Sequence, residues 1–399
     1  MTEQAKRKMI LIVLDSAGIG NAPDADKYGD EGSNTYARIA EHMPDLELPN
    51  LNALGLGRLV PAFKERSKNT LNRPAFAGRL REESSGKDTI TGHWELGGVL
   101  TEEPFPTFPN GFPDELLDAI YEKTGVRFLG NEVASGTEII QRLGDEHLRT
   151  KKPILYTSAD SVIQIAAHED LYPVPKLYEI CKAARDLTRT GPFKVGRVIA
   201  RPFVGESGNY TRTPNRHDYA LPTPKPNLLN DVYTAGQEVW GVGKIMDIFA
   251  GCDFTRAEHT KSNAHGMEMT LDYYKDMKDG LLFTNLVDFD MKYGHRRDIT
   301  GYGNALKEFD DFLNVLFKEM DDNTVLGITA DHGCDPGYAG TDHTREEVPI
   351  LLYGNPLKDN GDQKVPVYTT YSDLAATIAD YLHVSYHGHG TSFYKEAFQ

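Results

Sequence analysis

Cysteine is scarce in this 399-residue chain, and the three present, Cys181, Cys252 and Cys334, are far apart and in no CxxC pair. An odd, scattered set excludes a disulfide framework and reads as reduced thiols in a cytoplasmic protein. Long apolar runs are missing too. Met9–Leu14 is the longest near the N-terminus, far below the roughly 20 residues that a membrane span needs, and Lys6, Arg7 and Lys8 lead into it without a signal peptide. Basic residues are in deficit, 43 Lys and Arg against 59 Asp and Glu, for a formal net charge of −16. That balance repels nucleic-acid phosphates. No GxxxxGK[ST] loop occurs, and Gly241-Val242-Gly243 lacks the third glycine of a dinucleotide loop, so a nucleotide cofactor has no support. There is no fixed-period repeat and no sign of an obligate protein partner.

What is present is an ordinary globular composition, 39% hydrophobic and 26% charged, in a chain long enough for two or three domains at about 150 residues each. Lys8–Leu14 is a continuous apolar run of the kind that is buried on both faces of a parallel sheet. Leu281–Val287, Thr324–Thr329 and Val348–Tyr353 repeat it, and amphipathic helices are expected over Tyr302–Met320 and Ser372–Leu382. The alternation predicts an α/β fold with a doubly wound, mainly parallel sheet and ligands at the carboxyl ends of its strands. Two proline-rich stretches, Pro104–Pro113 and Leu221–Asn227, bracket a region with its own strands at Ile154–Tyr156, Val162–Ala166 and Gly196–Ala200. Residues 104–220 therefore read as a smaller α/β cap domain inserted into a core formed by residues 1–103 and 221–399.

Each main strand runs into carboxylates or imidazoles. The first ends in Asp15, and the Leu281 strand runs into Asp288-Phe289-Asp290, with His295 beyond. The Thr324 strand runs into Asp331-His332, and His343 comes later in Thr341-Asp342-His343-Thr344. A single Asp is usually a helix cap and a single His usually packs quietly. Six such groups at strand ends, Asp15, Asp290, His295, Asp331, His332 and His343, suit two divalent ions with three ligands each. Mixed imidazole and carboxylate donors fit Zn²⁺ or Mn²⁺, and the share of Asp favours the harder ion. Two ions about 4 Å apart clamp the attacking and leaving oxygens of phosphoryl transfer.

Such a site needs a nucleophile, and Gly86-Lys87-Asp88-Thr89-Ile90-Thr91-Gly92-His93-Trp94-Glu95 offers one. Asp88 is a residue type that starts helices, which places Thr89 near free backbone N–H groups and the positive end of the helix dipole, where phosphate binds.

These segments, together with Asp15-Ser16-Ala17-Gly18-Ile19-Gly20, Asn285-Leu286-Val287-Asp288-Phe289-Asp290, Gly294-His295-Arg296-Arg297-Asp298, Thr329-Ala330-Asp331-His332-Gly333 and Gly340-Thr341-Asp342-His343-Thr344-Arg345, resemble the phosphopentomutase family of the alkaline phosphatase superfamily. The resemblance spans the chain from the first strand to the Thr341 segment. It implies an alkaline-phosphatase-like core with a mobile inserted cap, acting on pentose phosphates. Asp15, Asp331 and His332 would hold one metal, most simply Mn²⁺, and Asp290, His295 and His343 the other. Thr89 would be the phosphorylated residue, because the superfamily's cofactor-independent phosphoglycerate mutases carry a Ser at the same spacing before Gly-His. The reaction implied interconverts (deoxy)ribose 1-phosphate and 5-phosphate through a 1,5-bisphosphate, with a sugar bisphosphate as activator. Ser158, Asp160 and Val162 match positions that meet the pentose, and Arg197 and Lys244 match binders of the distal phosphate. Arg212, Arg216 and Cys334 receive no role, and packing is the simpler reading of Cys334.

A haloacid-dehalogenase-type enzyme is disfavoured, because Lys292 stands where that family needs Thr or Val and the His cluster would have no use. A sulfatase would need Cys or Ser heading a C/S-x-P-x-R segment. The alternatives that remain are a metal-dependent phosphatase of the same superfamily and a non-catalytic metal-binding protein.

Overall fold

The computed structural model describes residues 6–158, 161–361 and 363–399. The chain forms two compact units, one of Met1–Glu103 with Thr223–Gln399 and the other of Pro104–Pro222. The first contributes β1 (Lys8–Leu14) and β2 (Ala75–Leu80) before the chain enters the second. That unit holds β3 (Leu129–Val133), β4 (Ile154–Thr157), β5 (Val162–His168), β6 (Arg197–Glu206), β7 (Asn209–Arg212) and β8 (His217–Ala220). The chain returns with β9 (Val239–Val242), β10 (Arg256–Glu258), β11 (Gly280–Leu286), β12 (Thr324–Thr329), β13 (Val348–Tyr353) and β14 (Val367–Tyr368).

In the first unit the strands form one eight-stranded sheet in the order β10-β9-β11-β1-β12-β13-β2-β14. From β10 to β12 every pairing is parallel. The central β1 is apolar after Lys8 because helices cover both faces of a parallel sheet, and from Met9 onward all its residues are buried. β13 departs from the expected parallel arrangement. It runs antiparallel to both β12 and β2. An apolar run specifies burial on two faces but not direction.

The long helix spans Ile299–Glu319, three residues earlier than the apolar spacing implied, because the Asp298 side chain caps it by accepting from the Gly301 amide. It buries Tyr302, Leu306, Phe309, Leu313 and Leu316, a stripe at helical spacing, each side chain contributing about 1.5–3 kcal/mol of gross burial energy. Ser372–Leu382 is helical and almost wholly buried. Among the described residues no helix is long and apolar enough to cross a membrane.

The second unit has a mixed sheet, ordered β3-β4-β5-β6-β7, with β8 also paired to β6. Its two faces carry separate apolar clusters. β4 sends Leu155 into one and Ile154 and Tyr156 into the other, the alternation expected of a covered sheet.

Candidate active site

Asp15 comes directly after β1, between the ends of β11 and β12, and is fully buried. The next residue, Ser16, has φ +70°, uncommon for a residue with a side chain. That turn aims the Ser16 amide at Asp331 Oδ1, 3.0 Å away, and so ties the end of β1 to the end of β12. Asn285, the penultimate residue of β11, donates from Nδ2 to Asp15 Oδ2 at 3.0 Å. Residues at the ends of three neighbouring strands therefore meet at two buried carboxylates, Asp15 and Asp331. Beyond β11 the chain winds into a short wide helical turn, Phe289–Gly294, which places Asp290 and His295 together.

The six groups singled out in the sequence come together as interlocking donor sets. Asp15, Asp331 and His332 form one, Asp290, His332 and His343 a second, and Asp290, His295 and Cys334 a third; within each set the ligand atoms lie within 4.8 Å of one another. The imidazole tautomers are set by their outer partners. His295 Nδ1 is 2.7 Å from the Thr341 carbonyl and His332 Nδ1 is 3.1 Å from the Gly333 carbonyl, so both donate there and turn Nε2 inward. The inward atoms crowd. His343 Nε2 is 3.1 Å from His295 Nε2, and His332 Nε2 is 3.2 Å from Asp331 Oδ2 and 3.5 Å from Asp15 Oδ1.

Such crowding is what a cation needs. Asp15 Oδ1, Asp290 Oδ1 and Asp331 Oδ2 are buried and lack any hydrogen-bond partner. Burial, then the charges of Asp331 and Asp290, raise the Asp15 carboxyl above its ordinary range. The negative potential also draws protons onto the imidazoles, and Asp290 together with Cys334 pushes His295 up to about 12. Burial opposes protonation of His332, yet Asp331 and Asp15 hold its pKa above the usual value. Divalent ions satisfy the same potential and displace those protons, so the residues present fit a metal centre.

Thr89 opens the helix Thr89–Leu96, and its Oγ1 lies 3.1 Å from His332 Nε2. The neighbouring Thr91 hydroxyl is buried and donates to Asp88 Oδ2 at 2.6 Å. Of the two threonines, then, only Thr89 faces the donor cluster. The free amides expected at this helix start are partly spoken for. Asp88 Oδ1 accepts from Ile90 N and Thr91 N, so the cap leaves a phosphate the dipole and little of the first turn.

Side chains that sequence reasoning left without a role hold this arrangement. His93 Nδ1 donates to the Thr89 carbonyl at 2.9 Å and lies 3.0 Å from Asp331 Oδ2, while its Nε2 accepts from Asn285 Nδ2 at 3.3 Å. Arg345 is buried and donates to the carbonyls of Glu82, Ser84 and Gly86 and to the Glu82 carboxylate, fixing the segment that leads to Thr89. Its amide donates to Asp30, which also accepts from Lys87 Nζ at 3.0 Å. His93 and Arg345 stand inside the motifs that begin at Gly86 and Gly340, and a polar residue flanked by a ligand or a nucleophile is the signal that could have found them.

Gly92 is needed for contact. A Cβ there would lie 2.0 Å from the Asp331 carbonyl oxygen, so the Thr89 helix touches the end of β12 backbone to backbone. Gly92→Ala should separate Thr89 from His332 and lower turnover by roughly a hundredfold, the cost of about 1 Å of misplacement, with bound metal retained. A variant with wild-type turnover would show that this contact is not required.

The other predicted binding residues are dispersed. Lys244 precedes the short helix Ile245–Ile248 and lines a cavity of about 110 Å³ with His259, Lys261 and Asp288, near enough for its charge to favour ionised Asp15. In the second unit Val162 is buried at the start of β5, in register with Arg197 at the start of β6. Arg197 is 3.9 Å from Asp218, which also pairs with Arg216, and Ser158 comes directly after β4. Arg212 Nη2 is 3.4 Å from the Tyr156 hydroxyl. Asp160 lies outside the described residues.

The family model of the Metalloenzyme superfamily matches residues 7–386. A phosphopentomutase of Acetivibrio thermocellus is 51% identical over 389 residues, covering 97% of this chain and 98% of the relative. The chain belongs to the phosphopentomutase family. Among solved structures, a Leishmania mexicana phosphoglycerate mutase covers 98% of this chain and 98% of its own at 14% identity and a TM-score of 0.47. A Pyrococcus horikoshii protein covers 96% of this chain and 99% of its own, with the same identity and TM-score. As a phosphopentomutase-family member the chain is an enzyme that binds divalent metal, and the donor sets around Asp15 and Asp290 could hold such ions.

Proposed function

We propose that this enzyme interconverts ribose 1-phosphate and ribose 5-phosphate, and the deoxyribose pair likewise, through a phosphothreonine at Thr89 and a 1,5-bisphosphate intermediate. The observation that carries the reading is the Thr89 hydroxyl at a helix start, 3.1 Å from His332, at the edge of two carboxylate and imidazole donor sets. Asp15, Asp331 and His332 would hold one divalent ion and Asp290, His295 and His343 another, with Mn²⁺ favoured by the share of Asp among the donors. Ions held there would polarise phosphoryl oxygens and lower the pKa of the threonine hydroxyl.

The chain's own residues supply the rest. Thr89 Oγ1 accepts a phosphoryl group from a sugar bisphosphate primer as the sugar–phosphate bond breaks. Phospho-Thr89 then passes it to the free hydroxyl of a pentose monophosphate. The bisphosphate reorients and returns its other phosphoryl to Thr89. His93 holds the Thr89 carbonyl and Asn285 holds Asp15, so nucleophile and donor set stay in fixed register. Ser158, Asp160, Val162 and Arg197, from the inserted unit, would grip the pentose and its distal phosphate with Lys244. That grip would also keep water from the phosphothreonine, which separates a mutase from a phosphatase. The free thiols Cys181, Cys252 and Cys334 suit the reducing cytoplasm.

One assay decides between the two outcomes: purified protein with Mn²⁺, a bisphosphate primer and ribose 5-phosphate, following ribose 1-phosphate and inorganic phosphate together. Isomer should form in large excess over phosphate, and chelation should stop it. Phosphate release as fast as isomerisation would make the enzyme a phosphatase instead.

A further inference from the structure

The third donor set contains a sulfur atom that the proposed reaction does not use. Cys334 stands two residues after His332, is buried, and its Sγ lies within 4.8 Å of ligand atoms of Asp290 and His295. Several contacts fix it there. Its amide donates to the Ser16 carbonyl at 3.1 Å, and the Sγ is 3.6 Å from the Asp342 carbonyl. Gly294 lies against it so closely that a Cβ would sit 2.9 Å from the sulfur. A thiol near a metal site is common enough through packing alone. Here a second observation points to a ligand: Asp290, shared by this set and the His343 set, is buried with Oδ1 unpartnered, and the inward nitrogens of His295 and His343 stand 3.1 Å apart. Carboxylate, imidazole and sulfur thus converge on the same volume.

The structure assigns to Cys334 the role of a conditional ligand of the Asp290 centre, engaged by thiophilic divalent ions such as Zn²⁺ and Cd²⁺ and left as a thiol by Mn²⁺. This role rests on the two-metal reading of the site. Donor softness decides the selectivity: thiolate sulfur favours Zn²⁺ and Cd²⁺, whereas the carboxylates and imidazoles suffice for the harder Mn²⁺. Binding of the thiophilic ion releases the S–H proton to solvent and forms one metal–sulfur bond. The consequence for the enzyme is an ion held too tightly, with a donor position closed that transfer of a phosphoryl group needs open.

The test is spectroscopic and needs no turnover. Metal-free protein is titrated with Cd²⁺ and, separately, with Co²⁺, and thiolate-to-metal charge-transfer absorption in the ultraviolet is followed alongside bound metal per chain. Wild type should develop the band as the second equivalent binds. Cys334→Ser and Cys334→Ala should lack it, with Zn²⁺ affinity about tenfold or more weaker and Mn²⁺ affinity unchanged within about twofold. Two Cd²⁺ bound per chain with no charge-transfer band in wild type would sink the sulfur ligand while the two-metal reading stands. A band that persists in both variants would assign it to Cys181 or Cys252 and overturn the proposal. Failure to bind any of these ions would overturn both readings together.

Discussion

Thr89→Val should abolish isomerisation while leaving the metal centre intact. Valine keeps the shape and β-branching of threonine at the first helical position, and the Asp88 cap that accepts from Ile90 and Thr91 does not involve the Thr89 side chain. What is lost is the one hydroxyl of that segment facing His332, since the Thr91 hydroxyl is buried against Asp88. Loss of a nucleophile from a covalent mechanism costs on the order of a millionfold in turnover where neighbouring groups cannot substitute for it. The variant should bind both metals, unfold at nearly the wild-type temperature and retain no label when incubated with a bisphosphate carrying radioactive phosphate. Thr89→Ser should recover part of the activity and all of the labelling. Labelled phosphate found on the valine variant would place the nucleophile elsewhere.

Asp331→Asn should be the second severe loss, and it carries a stability effect. Asp331 is touched from three directions, by the Ser16 amide at 3.0 Å, His332 Nε2 at 3.2 Å and His93 Nδ1 at 3.0 Å. Asparagine can still accept from Ser16, so the end of β12 should stay in place. The charge that helps hold a cation is gone, and one ion per chain should be lost with a fall in turnover of roughly a thousandfold or more, because a two-metal clamp needs both halves. The metal-free variant should also melt below the metal-free wild type. Burial alone would raise the Asp331 pKa, but the His332 and His93 imidazoles hold it well below the usual carboxylate range, so the folded protein favours the charged form. Removing the charge leaves those two buried imidazoles without their anion. Added Mn²⁺ should then raise the wild-type melting point well above that of the variant, since saturation at roughly a hundred times Kd contributes about 2.7 kcal/mol per site. Calorimetry with and without chelator, beside metal analysis, makes the comparison. An asparagine variant that binds two ions and turns over normally would put the site elsewhere.

The candidate donor side chains are legible in the sequence because a parallel sheet delivers the residues just past each strand to one edge. Asp15, Asp290 and Asp331 can be read as neighbours simply from apolar runs that end in acid. Strand direction is not legible. The run in β13 is as apolar as that in β1, yet it is antiparallel, because hydrophobicity reports how many faces are covered and not which way the chain enters. The short strands β9, β10 and β14 also escape notice, being four residues or fewer, below the length at which a period shows. Supporting residues such as Asn285 and His93 are hidden for a different reason. Their value lies in which atom faces which partner, and a tautomer is set by three-dimensional neighbours. Cys334 is the extreme case, because a lone cysteine beside a histidine reads as packing until its sulfur is found beside Asp290 and His295.

The position of β1 between β11 and β12 has a consequence for how the molecule is made. The strand that leads into Asp15 is made long before its two hydrogen-bonding neighbours, which begin at Gly280 and Thr324. At about 5–20 residues per second, an interval of roughly 15–50 s separates synthesis of β1 from that of β11. Through that interval a strand that is apolar from Met9 onward has no partner on either edge, a state that invites mispairing. Pro104–Pro222, whose contacts are largely its own, is complete well before then. The unit built on this sheet is thus the last to close, and its rate of closure is set by pairing across roughly 250 residues or more, the kind of contact that folds slowly. A chaperone that shields Met9–Leu14 during synthesis should raise the yield of active enzyme more than it raises the yield of the inserted unit, and limited proteolysis of arrested chains would show the inserted unit protected while β1 is still cleaved.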